Sequence, residues 1–436
     1  MRELVARLKK DSRVRQFVSS LLPTAGALAI QLVTFVLFAR HLGPARLGML
    51  SAILAVCGLA IEFVGFGCGD LAVRGTARDR ANFPRYFGHA LIAYVATGVP
   101  ILALCVAAIR FGLAIPLGIA TIAVLVSSEI MNSRLATFAE QAAYAHGEVA
   151  RASLYRSLAA IVRLGAVVAV IVFFSPLTIE TWAIATAIQG TLLVVLLMAD
   201  IVRRYGRPQV WIARGELIDG LLFACSNVAS IVQGTLDRVC LSKVAAMSLV
   251  GLYSAGSRLL QVGLFPLQIA TRMVYPKFFR MGDVGAHAVR SYTFACALPM
   301  LAVAAGSAAA ISLASLLIPL VLGSAFAPSA NIAIALAWSL PFVALQYLAA
   351  DSLSAIGKHR ARTAVLLGSA VLASLLLAAG AAFGGVKGVI AAYYAGNIAM
   401  AGVLWILMLR ATAPGAPGIA DDVRAPLSRD RRPAAD

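Results

Sequence analysis

Long apolar runs extend through this chain and limit its fold more than any other feature. They recur along the whole sequence, and many are long enough to cross about 30 Å of hydrocarbon as a helix. Hydrophobic residues make up 61% of the 436 residues and charged residues only 13%, whereas a soluble domain carries about 25% charged residues. The sequence therefore predicts a polytopic, all-α membrane protein.

The apolar runs divide into about twelve predicted spans. These cover residues 18–39, 47–68, 88–109, 112–133, 156–174, 181–201, 218–240, 251–275, 292–321, 329–350, 363–383 and 388–409. With a cytoplasmic N-terminus, 27 of the 37 Lys and Arg residues fall in inside segments, as the positive-inside rule requires. The net charge of +18 is therefore attributed to topology and not to nucleic-acid binding. Both termini are predicted to be cytoplasmic.

The two halves of the chain repeat each other. The stretch "ARLGMLSA" at 45–52 matches "SLVGLYSA" at 248–255, with an offset of 203 that pairs Gly48 with Gly251. A second match, between "AHGEVAR" and "AIGKHRAR", has an offset of 210. Two matches in the same order favour duplication, with six helices per half and a pseudo-twofold axis along the membrane normal.

The duplication predicts five segments along the chain. They are a basic cytoplasmic N-terminus (1–17), an N-lobe of six helices (18–201), a cytoplasmic linker (202–217), a C-lobe of six helices (218–410) and a disordered cytoplasmic tail (411–436). The tail is rich in Pro, Ala and charged residues, a composition that cannot bury enough apolar surface to fold.

Polar residues inside the predicted spans concentrate in the first two helices of each half. A charge at the centre of a span costs about 2.5–3.5 kcal/mol on insertion scales, so such residues are expected to face protein or a water-filled cavity. Their helical spacing places them on shared stripes. The candidate cavity residues on these helices are Gln31, Asn227, Arg258, Gln261, Gln268 and Arg272, and Arg163 in the fifth span is a further candidate.

Charged residues in the spans receive different interpretations. Glu62 and Asp237 are candidates for coupling to a cation, either Na+ or H+. The alternatives are that Glu62 balances an arginine and that Asp237 forms a local structural pair with Arg238. The glycine-rich stretch "GFGCGD" at 65–70 is interpreted as close packing or a helix exit. The charged side chains expected to reach a membrane interface are Arg134, Glu140, Arg156 and Arg272.

Motifs of common hydrolytic and metal enzymes are absent from the sequence. It contains no Walker A pattern, no HExxH, no GxSxG and no cluster of His and Cys. The six cysteines lie in or beside apolar segments without a CxxC pair and are interpreted as buried hydrophobes. The sequence thus predicts a transporter with no catalytic residues, metal or cofactor. A membrane glycosyltransferase or polymerase would need a sizeable polar loop.

Four stretches carry a resemblance to a known family: "VLFARHLGPARLGMLSAILAV", "GFGCGDLAVRGTARD", "LDRVCLSKVAAMSLVGLYSAGSRLLQV" and "VLGSAFAPSANIAIALAWSLPF". They resemble polysaccharide biosynthesis transporters, the O-antigen and exopolysaccharide repeat-unit flippases. The same superfamily holds multidrug and toxin extrusion exporters and the lipid II flippase. The resemblance covers residues 18–410 and implies a V-shaped fold of two lobes that alternates between inward-open and outward-open states.

The resemblance also implies a substrate and a location. The implied substrate is an oligosaccharide on an undecaprenyl pyrophosphate carrier, moved to the periplasmic leaflet of the bacterial inner membrane for exopolysaccharide, capsule or O-antigen synthesis. The implied partners, besides the lipid bilayer, are a polysaccharide polymerase and chain-length or export proteins. The alternatives are a cation-coupled drug or metabolite antiporter of the same superfamily and a non-transporting scaffold for polysaccharide assembly.

Overall fold

The described part of the chain is helical throughout. The computed structural model describes residues 12–174, 176–212, 214–232 and 234–413, with the backbone alone at 12–25 and at scattered positions between 214 and 230. Every regular element in these ranges is a helix, so the predicted all-α class is confirmed. The predicted N-terminal segment before residue 12 and the predicted tail after residue 413 lie outside the described residues.

The helices fall into two units by their packing. Unit 1 holds the residues up to Ser254 and the segment Pro319–Phe326, and unit 2 holds Ala255–Ile318 and the residues from Ala327 onward. The helices of unit 1 are α1 (Ser12–Ala60), α2 (Cys68–Arg78), α3 (Phe83–Ala107), α4 (Ile119–Ser127), α5 (Ser133–Ala145), α6 (Val149–Phe173), α7 (Ile179–Tyr205), α8 (Leu217–Val232) and α9 (Leu236–Val244). Helix α10 (Met247–Val284) begins in unit 1 and continues in unit 2. The remaining helices are α11 (Ala286–Ser315), α12 (Ile318–Leu322), α13 (Pro328–Ala337), α14 (Leu340–Ala355) and α15 (His359–Ala411).

Eight helical segments among the described residues are long and apolar enough to cross a membrane. They are Gly26–Phe63, Arg80–Gly112, Ile119–Ala145, Val149–Phe173, Ile179–Tyr205, Ala286–Ser315, Pro328–Ala355 and His359–Ala411. Two of them contain a non-helical glycine, Gly43 (φ 71°) and Gly385 (φ 53°), where the sequence predicts a turn between two spans. The spans predicted at 218–240 and 251–275 correspond to α8 with α9 and to α10. Each predicted span therefore has a helical counterpart.

The fourth and fifth predicted spans are longer than the sequence indicates. In the structure they cover Ile119–Ala145 and Val149–Phe173, and the turn between them contains Gly147 in the left-handed region (φ 81°). Charged residues at these helix ends are paired. Arg156 donates to the carboxylate of Glu140 at 2.5 Å. Pairing of this kind lets both helices extend past their apolar parts.

Glycines matched by the repeat meet in unit 1. A Cβ added to Gly48 would overlap the carbonyl oxygen of Met247 and lie 2.9 Å from the backbone nitrogen of Gly251. A Cβ added to Gly251 would overlap the carbonyl oxygen of Pro44 and lie 3.0 Å from the nitrogen of Gly48. The repeat offset of 203 separates 44 from 247 and 48 from 251. The second half of α1 and the start of α10 thus cross in backbone contact, with the reciprocity expected at a twofold axis.

The predicted lobes do not coincide with the two units, because α8 and α9 pack with unit 1. The lobes are defined by the sequence repeat, whereas the units are defined by which helices pack together. The division into units therefore does not test the lobe boundaries, which stay a prediction. The predicted linker between the lobes is fastened at its end to unit 1. The carboxylate of Glu216 accepts hydrogen bonds from Arg74 on α2 and from the hydroxyl of Tyr86 on α3, both at 2.9 Å.

Candidate functional site

A buried ion pair lies where the α1 span ends in unit 1. Glu62 belongs to the 3-10 turn Ile61–Phe63, and its carboxylate accepts a hydrogen bond from Arg134 Nη1 at 3.4 Å. The side chain of Arg134 is 4% exposed and that of Glu62 is 15% exposed. The expectation that Arg134 reaches a membrane interface is wrong, because its guanidinium is buried against Glu62 and the ring of Tyr94.

Three more polar side chains extend this ion pair into a cluster. The amide of Asn227 on α8 donates to Glu62 at 3.3 Å and to Asp70 at 3.5 Å, and Gln141 on α5 donates to Asp70 at 3.1 Å. The Glu62 cluster, defined as Glu62, Asp70, Arg134, Gln141 and Asn227, therefore joins two carboxylates through one amide. Throughout the described residues, no group of three or more His, Cys, Asp and Glu side chains is placed to hold a metal ion.

The "GFGCGD" stretch brings the two carboxylates of the cluster together. Gly65, Phe66 and Gly67 all have positive φ, at 77°, 42° and 68°, a conformation that glycine adopts at little steric cost. These residues end the α1 span and start α2 at Cys68. These residues interrupt the helical path between the α1 span and α2, and Asp70 on α2 approaches the same Asn227 amide as Glu62. The interpretation of this stretch as a helix exit is confirmed.

Arg163, a predicted cavity residue, is engaged by neighbours within unit 1. Its Nη2 donates to Glu129 Oε1 at 2.8 Å, and the Glu129 side chain is 10% exposed. The guanidinium also lies 5.6 Å from the ring centre of Trp182. Glu129 belongs to the π-helical turn between α4 and α5. The charge of Arg163 is therefore balanced, and its predicted role in a cavity stays a prediction.

Asp237, the second candidate for cation coupling, is buried at the start of α9. Its residue is 3% exposed, and it accepts hydrogen bonds from the hydroxyl of Tyr253 and from the backbone N–H of Arg238, both at 2.7 Å. Tyr253 lies two residues beyond Gly251 on α10. The Asp237–Tyr253 bond therefore ties α9 to α10 next to the glycine crossing.

Predicted cavity residues on α10 form a separate set in unit 2. Arg258 Nη1 donates to Gln261 Oε1, one helical turn away, at 2.8 Å. Gln268 and Arg272 follow on the same helix and are exposed, as is Gln261. Gln31 is exposed on α1 in unit 1. The structure thus brings Asn227 into contact with Glu62, while the four α10 residues share one helix. The role of all these residues in substrate binding stays a prediction.

Several buried polar residues were missed by sequence reasoning. In unit 2, Gln346 on α14 donates to the side chain of Asn397 on α15 at 2.9 Å, and Asp351 is buried on α14. Asp70 and Gln141 in unit 1 were likewise not recognised as part of a site. The available signal was a polar residue in or just beyond an apolar span. Asp351, for example, lies one residue past the predicted end of its span.

Comparisons with known proteins agree with this architecture. The family model described as "Polysaccharide biosynthesis protein" matches residues 15–282. No curated protein matches the chain.

Solved structures share the fold at low sequence identity. A multidrug resistance MATE family transporter of the MOP superfamily, in an inward-facing conformation, has a TM-score of 0.72 and 14% identity, covering 90% of this chain and 98% of its own. The lipid II flippase MurJ, in an inward closed conformation, has a TM-score of 0.71 and 13% identity, covering 89% and 87%. A mutant of the Vibrio cholerae MATE transporter VcmN has a TM-score of 0.60 and 16% identity, covering 90% and 94%. The fold that the resemblance implies is confirmed.

Proposed function

We propose that this chain, which belongs to the polysaccharide biosynthesis protein family, is a flippase of the bacterial inner membrane. Its substrate is an oligosaccharide repeat unit on an undecaprenyl pyrophosphate carrier, which it moves from the cytoplasmic to the periplasmic leaflet. The observation that carries the proposal is the family match over residues 15–282. The fold supports it, since it is shared with a MATE transporter and with a lipid II flippase.

The chemistry of the substrate suits the candidate residues. A pyrophosphate carries about two negative charges, and moving it through hydrocarbon unaided is very costly. Arginine pairs with such groups through charge-assisted and often bidentate hydrogen bonds. Arg258 and Gln261, already joined on one face of α10, offer a guanidinium and an amide to the phosphates. Gln268 and Arg272 continue the same helix and are proposed to contact the sugar or the second phosphate.

A strain that lacks this protein but keeps its glycosyltransferases is expected to accumulate complete repeat units on the cytoplasmic side. In spheroplasts, an impermeant probe will reach these lipid-linked sugars only after the gene is restored. Restoration with Arg258→Ala is expected to be about tenfold slower, since a hydrogen bond to a charged group contributes about 1.5–3 kcal/mol. Arg280→Ala, which changes an exposed arginine of the same helix, is the matched control and should restore the full rate.

Two results would contradict parts of this proposal. Normal surface polysaccharide with no trapped intermediate would remove the flippase function and favour a drug or metabolite antiporter. If the deletion strain accumulates the intermediates and Arg258→Ala restores translocation at the wild-type rate, the flippase function stands, but Arg258 does not bind the substrate.

Coupling to a cation gradient, either H+ or Na+, is proposed for Glu62. When all its groups are ionised, the Glu62 cluster holds two carboxylates and one guanidinium, and so carries one unbalanced negative charge. Because such a charge is costly beside apolar spans, uptake of one cation stabilises the cluster. Glu62→Gln is therefore expected to make translocation in membrane vesicles independent of an imposed H+ or Na+ gradient.

Asp237→Asn is the companion variant for this test. Loss of gradient dependence in Asp237→Asn, with full dependence in Glu62→Gln, would move the coupling role to Asp237. Unchanged dependence in both variants would mean that neither carboxylate couples transport to an ion.

A further inference from the structure

The segment Pro319–Phe326 packs with unit 1, although the chain on both sides of it belongs to unit 2. Arg40 on α1 holds this segment, because its Nη2 donates to the carbonyl oxygen of Leu320 at 2.8 Å. Leu320 lies in the short helix α12, near an end whose carbonyl groups have no partner within the helix. The negative end of the helix dipole also favours a cation at this position. Phe326 is buried at the far end of the segment.

The glycine crossing lies only eight residues beyond Arg40 on the same helix. Between the two, Gly43 breaks α1 (φ 71°, ψ 172°), so that the residues after it turn toward α10. The stretch from Arg40 to Gly48 therefore makes two contacts, one with the inserted segment and one with the start of α10. In the predicted topology, these contacts lie on the periplasmic side.

The crossing is tight and reciprocal. Gly48 and Gly251 are equivalent in the repeat, and each leaves room for the backbone of the other helix. A contact between equivalent residues lies at the axis that relates the two halves. Separation of the halves at this end must therefore break the crossing as a whole.

We propose that Arg40, the crossing of Gly48 with Gly251, and the segment Pro319–Phe326 form an outer latch. The latch is closed in this structure, and it opens to release substrate toward the periplasm. Its role in release rests on the proposed transport function, whereas its closure is a property of the fold. The two can therefore be tested separately.

The first test measures the exposure of a cysteine beneath the latch. Leu252→Cys replaces a buried residue next to the crossing, in a background where Cys225 and Cys240 are changed to serine and the four other cysteines are buried. An impermeant maleimide is applied to spheroplasts that contain the full chain. Arg40→Ala is expected to raise the labelling rate about fivefold, since the latch loses a charge-assisted hydrogen bond. Gly48→Ala should raise it further, because its Cβ would overlap the carbonyl oxygen of Met247.

Matched controls separate this effect from a general loss of structure. Arg46→Ala changes an exposed arginine of the same stretch, and Gly26→Ala adds a Cβ that meets nothing within 4 Å. Both are expected to leave the labelling rate unchanged. Equal labelling of Arg40→Ala, Gly48→Ala and the controls would overturn the latch.

The second test locks the latch. Arg40→Cys with Leu320→Cys places two exposed thiols at its ends, and a short bis-methanethiosulfonate reagent joins them. Translocation of repeat units is expected to stop on cross-linking and to return on reduction. Continued translocation by the cross-linked protein would overturn the latch while leaving the flippase function intact. If Arg40→Ala raises the labelling rate but neither the unchanged protein nor any variant translocates repeat units, the latch is supported and the flippase function is contradicted.

Discussion

Arg134→Ala is expected to lower the free energy of unfolding by about 3–5 kcal/mol, since it removes one partner of a buried ion pair. Its side chain is 4% exposed and that of Glu62 is 15% exposed, so the Glu62 carboxylate loses its charged partner in a largely buried position. The remaining cluster then holds Glu62 and Asp70 with only the amides of Asn227 and Gln141 as donors. The free energy of unfolding is measured by denaturant titration of the purified protein in detergent.

Two comparisons make this result specific. Arg85→Ala changes an exposed arginine on α3 and is expected to change the free energy of unfolding by less than about 0.5 kcal/mol. The double variant Glu62→Gln with Arg134→Met should recover much of the loss, because it removes the carboxylate charge that Arg134→Ala leaves without its partner. A loss below 1 kcal/mol for Arg134→Ala, on the scale of an exposed pair, would mean that the ion pair does not stabilise unit 1.

Gly388→Ala is expected to lower the free energy of unfolding by about 1–3 kcal/mol, the usual cost of an added methyl group in a packed site. Gly380 and Gly388 lie on either side of the break at Gly385 in α15. A Cβ on Gly388 would overlap the carbonyl oxygen of Gly380 and lie 2.8 Å from its carbonyl carbon. The neighbour is backbone, which cannot rotate away as a side chain can.

Gly384→Ala is the matched control in the same helix. A Cβ at Gly384 meets nothing within 4 Å, so this change is expected to leave stability unchanged or raise it by up to about 1 kcal/mol. Equal effects of the two substitutions in detergent unfolding would contradict a close backbone contact at Gly380.

Much of the fold was predictable because it depends on local properties of the chain. The apolar runs located the eight segments that are long and apolar enough to cross a membrane, and the glycines at 43 and 385 lie where the sequence predicts turns between spans. The facing ends of the spans predicted at 112–133 and 156–174 extend past their predicted positions, because the length of a helix beyond its apolar part depends on contacts with the next helix. A charged residue looks like a loop residue until its partner on the next helix is known.

The candidate site was predictable only in part. Helical periodicity found Glu62 and Asn227 as polar residues in apolar spans, and the structure brings them together at 3.3 Å. It did not indicate that Arg134 pairs with Glu62 or that Asp70 shares the same amide. Periodicity reports which residues of one helix share a face, but it carries no information on which other helix that face meets.

The sequence by itself determined the membrane class and the positions of the apolar helices, because burial of apolar side chains in hydrocarbon is decided run by run. Only the tertiary structure decided how charges are paired and where equivalent glycines cross. Glu62 and Arg134 are 72 residues apart in the chain, and Gly48 and Gly251 are 203 apart. Such contacts form only when the helices pack against each other. The energy of each contact depends on distances of a few ångströms between side chains on different helices, and the pattern along one helix does not give those distances.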